Sequence, residues 1–224
     1  MSSFSQIEYQ LVRSRRKSLA IHVLRDGSVE VRAPHRAPRE LIHRFVLEKS
    51  AWIKQKRTEW LALPARHEPK FHEGAEHFFL GEAYRLSFAP YRGDDPVINL
   101  QLRSTTEDNV ARALDRWYRR EAERLFAERH DHWRDQMADF ALPQSHIRLR
   151  KMTSRWGSCT RRGAITLNTQ LVRYPLECAD AVIVHELCHL LEFNHSPRFY
   201  ALMDRAYPDW KPVDKLLKKL ALQY

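Results

Sequence analysis

Between Ala181 and Phe193 the chain is apolar at almost every position, and the exceptions, His185, Glu186, His189 and Glu192, fall on one flank of a helix. A helix patterned in this way has to be buried, so the rest of the fold must be built around it. Its polar side chains then need partners, because an unpaired polar group in a core costs on the order of 1–3 kcal/mol. Residues four apart lie one above the other on a helix, so His185 and His189 present both imidazoles to the same side, where one metal ion satisfies them together. Glu186 sits about 100° around from His185 and about 60° from His189, close enough to reach a water on the metal without occupying the metal itself. That is the placement of a general base.

The pentapeptide His185 to His189 does not carry this reading alone. With 12 His and 16 Glu in 224 residues, a shuffled chain shows the HExxH pattern roughly once in twenty tries. A third ligand that leaves one position open for water adds the needed constraint, and Glu192 and His195 are the two candidates. Glu192 continues the helical face. His195 is six residues beyond His189, about 9 Å of rise in an unbroken helix, so it binds only if the helix ends first. Asn194 tolerates the left-handed conformation at a helix end, and Ser196 followed by Pro197 is a cap-and-start signal for a new helix. These signals favour His195 as the third ligand of a single zinc ion, with Glu192 in support behind it.

The remaining chain predicts an α+β fold. Alternating apolar residues at 19–23 and 29–31 flank Asp26-Gly27, a favoured hairpin turn, so the N-terminal region begins as antiparallel sheet. Pro38 opens a helix expected to run to about Leu63, followed by a connector from Pro64 to Gly74. Strands are expected over Phe78 to Phe88 and Val97 to Leu102. A long helix capped by Thr105 or Thr106 extends to about Ala138, burying Val110, Ala113, Leu114, Trp117 and Leu125. Strands over Ile147 to Met152 and Ala164 to Asn168 bracket a turn at Cys159 to Gly163, and Pro175 precedes the apolar helix. The division predicted is 1–103, mainly antiparallel β with one helix, and 104–224, mainly helical.

Composition narrows the setting. No run of 18 apolar residues occurs and the N-terminus lacks the apolar stretch of a signal peptide, so a cytoplasmic protein with no membrane contact is expected. Three cysteines without regular spacing, Cys159, Cys178 and Cys188, read as reduced thiols rather than a disulfide framework, and Cys159 and Cys188 are excluded as ligands. The formal net charge is +10, and residues 1–63 carry 13 basic against six acidic residues, which allows contact with nucleic acid or another polyanion.

The string VIVHELCHLLEFNHSPRFY resembles the YgjP-like, SprT-related group of zinc metallopeptidases, which share HELxH followed by NHS and an aromatic residue. A second block, Trp156, Gly157, Ser158 and Cys159 with Gly163, Ile165, Leu167, Asn168 and Leu171, is similar to the same family's WGSC region. The resemblance implies a zincin-like catalytic half in which the HExxH helix packs under a small sheet, with His185, His189 and His195 as ligands. It also implies that the edge of that sheet, from Arg148 to Asn168, lines the cleft and pairs with an extended peptide. The activity expected is hydrolysis of a peptide or protein substrate, with Arg155, Tyr200 or Tyr207 available to stabilise the oxyanion. Two rival readings keep the metal: a nucleotide pyrophosphohydrolase using the abundant arginines, and a nucleic-acid-associated module with structural zinc. Only six glycines and no phosphate-cradling loop weigh against the first, and the absence of a fourth protein ligand weighs against the second. Oligomeric state is not specified by any feature of the chain.

Overall fold

The structure, a computed structural model, describes residues 7–62 and 69–222, which form two compact units, one in each stretch. In the first, β2 (Ala20–Val23) and β3 (Val29–Pro34) make the expected antiparallel hairpin. Its turn is closed by Leu24 N–H donating to Ser28 O at 2.8 Å, while Asp26 Oδ1 accepts from the Ser28 amide at 2.9 Å. The other side of β3 pairs in parallel with β1 (Gln10–Ser14), a strand whose residues do not alternate and that gives no sequence signal. Arg13 secures the exit of β3 by donating from Nη1 to the carbonyls of Pro34, His35 and Ala37 at 3.0, 2.8 and 2.9 Å.

The helix expected after Pro38 is two helices, α1 (Arg39–Glu48) and α2 (Ser50–Leu61). They are separated at Lys49, whose φ of −92° and ψ of 7° lie outside the helical range. The break turns two short apolar stripes inward at once, burying Ile42, Val46 and Ile53 against Val29, Val31 and Ala33. Leu63 and residues 64–68 of the expected connector lie outside the described residues.

The second unit contains two further three-stranded sheets and the remaining helices. β4 (Glu76–Phe79), β5 (Glu82–Ser87) and β6 (Val97–Asn99) form one sheet in that order, antiparallel then parallel. The single strand segment expected over 78–88 is a tight hairpin because Leu80 and Gly81 both take positive φ, 51° and 87°. Only glycine suits the second position: a Cβ there would stand 2.8 Å from Pro175 Cγ. These strands belong with the second unit, not with residues 1–62, because Phe79, Leu86 and Ile98 fill the same core as the following helices. A sheet of three short strands cannot bury its apolar face alone.

α3 (Glu107–Gln136) is continuous over 30 residues, with Thr106 at its N-cap position but no side-chain capping bond. Its buried face is wider than the sequence stripe, adding Tyr118, Ala122 and Phe126, while Trp117 stays half-buried. The third sheet runs β7 (His146–Arg150), β9 (Ala164–Asn168), β8 (Gly157–Cys159), parallel on one side of β9 and antiparallel on the other. After a 3₁₀ segment at Thr169–Arg173 come α4 (Leu176–Cys188), α5 (Pro197–Ala206) and α6 (Trp210–Ala221). α4 is the buried apolar helix, with α3, α5, α6 and β8 all in contact with it. Arg129 on α3 grips Asp180 on α4 through two bonds, Nε to Oδ1 at 2.7 Å and Nη2 to Oδ2 at 2.8 Å, both side chains mostly buried. This bidentate pair sets the rotation of α4 and hence where its last turn points.

Candidate metal centre

The last turn of α4 carries His185 and Glu186, and the helix closes on His189 as its C-cap. Termination here is earlier than the sequence signals suggest. The turn 189–192 is held by Leu190 N–H to Leu187 O at 3.0 Å and by Leu191 and Glu192 N–H to Cys188 O, both at 3.0 Å. Asn194 does not take the left-handed conformation expected of it; the positive-φ non-glycine residues among those described are Leu80 and Ala141. The helix stops by tightening its final carbonyl bonds, and the chain then reverses through Ser196 N–H to Asn194 O at 2.7 Å. Ser196 caps α5 as expected, its Oγ accepting from Phe199 N–H at 3.3 Å with Pro197 in the first turn.

This reversal swings His195 back over α4. His189 Nε2 and His195 Nε2 each lie 3.1 Å from His185 Nε2, and the three ring nitrogens fall within 4.8 Å of one another. A tetrahedral ion with metal–nitrogen bonds of about 2.0–2.1 Å spaces its donors roughly 3.3 Å apart, so the set fits one such ion. The electrostatics agree. His185 is pushed down to about 4, by burial first and then by the neighbouring imidazoles, and burial lowers His189 as well, so the rings are held neutral with lone pairs available. His189 Nδ1 donates to the Glu192 carbonyl at 3.0 Å, which leaves its Nε2 as the free acceptor facing the cluster. The carboxylate of Glu192 turns away to accept from Asn194 N–H at 3.2 Å, so its backbone supports the site and its side chain is not brought into it.

Phe199 was given no role by the sequence, yet it is fully buried and packs under all three imidazoles, with ring centroids 4.9, 4.6 and 4.8 Å from His185, His189 and His195. Its signals are the aromatic that follows NHS in the family motif, which Phe199 and Tyr200 both satisfy, and its position three residues after the Ser196 cap, where it begins the inward face of α5.

Glu186 is 4% exposed and its Oε2 has no hydrogen-bond partner among the described residues. Burial raises its carboxyl to about 8, with the nearby Arg155 charge opposing. Gly157 lies directly against it: a Cβ at Gly157 would come within 2.5 Å of Glu186 Oε1 and 2.9 Å of its Cδ. Gly157→Ala must therefore displace the carboxylate, and turnover is expected to fall about 100-fold with little change in the thermal melt, a separation that steady-state kinetics and calorimetry will read. The loop that delivers Gly157 is tied by Asn168, which is buried. Its Nδ2 donates to the Met152 and Arg155 carbonyls at 2.8 and 3.1 Å, and its Oδ1 accepts from Gln170 N–H at 3.1 Å. Trp156, beside it, lines the cleft and meets Tyr174 edge-on at 5.0 Å.

A cavity of about 460 Å³ opens beside His185, Glu186 and His195, walled by Trp156, Tyr200, Met203 and Trp210. Of the residues considered for the oxyanion, Tyr200 is in this wall, stacked on Trp210 at 5.7 Å, whereas Tyr207 packs on Trp133 at 5.2 Å and Arg155 acts on Glu186 from the sheet side. Cys188 is a fully buried core residue outside the imidazole cluster, as is Cys178.

Three convergent imidazoles, two of them on one helix with a buried carboxylate between, form a group that could hold one metal ion. The YgjP-like metallopeptidase domain matches residues 17–220, and the chain belongs to that family of hydrolytic enzymes. No curated protein matches it. Similar solved structures include the metallopeptidase zymogen of Pyrococcus abyssi abylysin, 22% identical over 43% of this chain and 95% of that one, with a TM-score of 0.38. Another is the metallopeptidase zymogen of Methanocaldococcus jannaschii jannalysin, 18% identical over 42% of this chain and 96% of that one, TM-score 0.36. No helix among the described residues is long and apolar enough to cross a membrane.

Proposed function

We propose that this metallopeptidase hydrolyses peptide bonds with one zinc ion held by His185, His189 and His195, and with Glu186 as general base. The observation that carries the reading is the pairing of a three-imidazole cluster with a buried carboxylate whose Oε2 has no hydrogen-bond partner among the described residues. When bound, zinc polarises the scissile carbonyl and brings the pKa of water toward about 7. Glu186 then takes a proton from the attacking water and returns it to the departing amine. Its burial supports this role, because a carboxylate poised well above its ordinary range is basic enough near neutrality to accept that proton. Gly157 keeps the carboxylate in line, and Tyr200 is the hydroxyl available in the cleft wall for the developing oxyanion.

β8 lies at the end of its sheet, and its outer edge pairs with no strand among the described residues. An extended peptide added there would run past Glu186, with main-chain bonds supplying affinity.

Incubating the zinc-loaded protein with casein and with a panel of nucleotide pyrophosphates tests the reading: casein is expected to be cut and the nucleotides left intact, and the reverse result replaces the peptidase by a pyrophosphohydrolase. The ligand set has its own test. His195→Ala is expected to abolish stoichiometric zinc binding measured by mass spectrometry under native conditions, whereas Glu192→Ala retains one zinc per chain.

A further inference from the structure

The side of the third sheet away from α4 holds a second concavity that hydrolysis of an unspecified peptide does not use. It encloses about 450 Å³ and is lined by Arg150, Lys151, Ser154, Arg155, Ser158 and Thr166, among others. Its place follows from strand geometry. Successive side chains of a strand face opposite ways, so with Gly157 against Glu186, Ser158 faces the opposite side. There it lies across from Thr166, which in turn pairs with Arg148 on β7.

The charge here is one-sided. From residue 140 to 176 the sequence has seven Lys and Arg and no Asp or Glu. Lys151 is neutralised from outside the segment by Asp115 on α3, at 2.5 Å. Arg150 has no ion pair or side-chain hydrogen bond among the described residues, Arg155 shares its charge with Glu186, and Ser154, Ser158 and Thr166 line the same hollow. The unpaired Arg150 guanidinium, with Arg155 beside it, three hydroxyl-bearing residues and no carboxylate among the lining residues, forms a site for an anion of side-chain size.

We propose that this pocket binds the carboxylate of an acidic residue in the peptide substrate, making the enzyme selective for acidic peptides. The inference rests on the peptidase reading above and on a peptide lying along β8. A residue entering the cleft beside Glu186 and its neighbour in an extended peptide face opposite sides of the sheet, so the neighbour meets this pocket. A peptide is favoured over a nucleic acid strand because the hollow takes one anionic group one residue along β8 from the Glu186 contact, not a track of evenly spaced phosphates.

The test uses the full-length zinc-loaded protein and internally quenched peptides that differ only in carrying Glu, Gln or Lys at the positions flanking a fixed cleavage site. The Glu peptide is expected to exceed the Gln peptide about tenfold in kcat/KM, with the Lys peptide lower still. Arg150→Gln removes that preference without changing hydrolysis of the Gln peptide, and Arg150→Glu shifts it toward Lys. Arg150 is exposed on the sheet surface, so both variants are expected to melt like the parent. Equal cleavage of the three peptides by the parent, or a Glu preference that survives Arg150→Gln, overturns the proposal while leaving the peptidase reading intact. Loss of oligonucleotide binding in Arg150→Gln with an unchanged Glu-to-Gln ratio overturns it in favour of a phosphate backbone. No cleavage of any peptide, casein included, overturns both readings.

Discussion

Glu186→Gln is expected to lower turnover about 1,000-fold while leaving one zinc per chain, because it removes the proton acceptor and none of the three imidazoles. Metal content measured beside steady-state kinetics checks this, and a variant that keeps both zinc and full activity removes Glu186 from the mechanism. The same substitution has a consequence for stability that separates burial from catalysis. In the metal-free protein the folded carboxyl titrates at about 8 against an ordinary value of 4.5, burial being the main cause. A group raised in this way contributes its full stability below the unfolded value and loses it as pH rises through the folded one. Chelated native protein should therefore lose on the order of 2–4 kcal/mol between about pH 5 and pH 8 that Glu186→Gln does not lose. Urea melts of both proteins across that window measure the difference. Equal slopes would mean that water reaches the carboxylate in the folded state.

The second large effect is expected at Phe199, which touches no substrate. Truncation to alanine empties the space beneath three imidazoles at once and should cost about 3–5 kcal/mol of metal-free stability. It also removes the ring that packs against all three imidazoles, so zinc affinity should fall about 10- to 100-fold, the range seen when the groups supporting a metal ligand are removed. Phe199→Leu, which refills most of the volume, should recover most of the stability and less of the affinity, since a branched aliphatic chain does not reproduce the ring contacts with the three imidazoles. Denaturant unfolding and competitive zinc titration distinguish the two losses. A protein with unchanged affinity after Phe199→Ala would show that the turn at 189–196 alone positions His195.

Legibility in the sequence follows the range of the interactions. The hairpin at 20–34 is readable because alternation and the Asp26-Gly27 turn are local, and the Ser196-Pro197 start of α5 is readable for the same reason. β1 is not, since a strand that pairs in parallel with β3 draws its register from a partner 20 residues away and needs no pattern of its own. The break at Lys49 and the addition of 76–99 to the second unit depend on which core offers apolar surface to cover, a property of the assembled fold. At the site, spacing alone placed His185, Glu186 and His189 together, whereas the rotation of α4 is set by Arg129, 51 residues before Asp180.

For the proposed metal centre, the residue order by itself determined which donors are available. A buried helix with its polar groups on one flank places two imidazoles and a carboxylate within reach of one ion, and a chain reversal before Ser196 is the condition for a third imidazole to join. Tertiary structure alone decided how that reversal is made, through tightened bonds at 189–192 and not through a left-handed Asn194. It also decided what holds the result: Phe199 beneath the rings, the Glu192 carbonyl on His189, and Gly157 against Glu186. The physical reason is that ligand identity is written in helical periodicity, while the direction of each ligand is a packing property shared with residues that no local pattern connects to it.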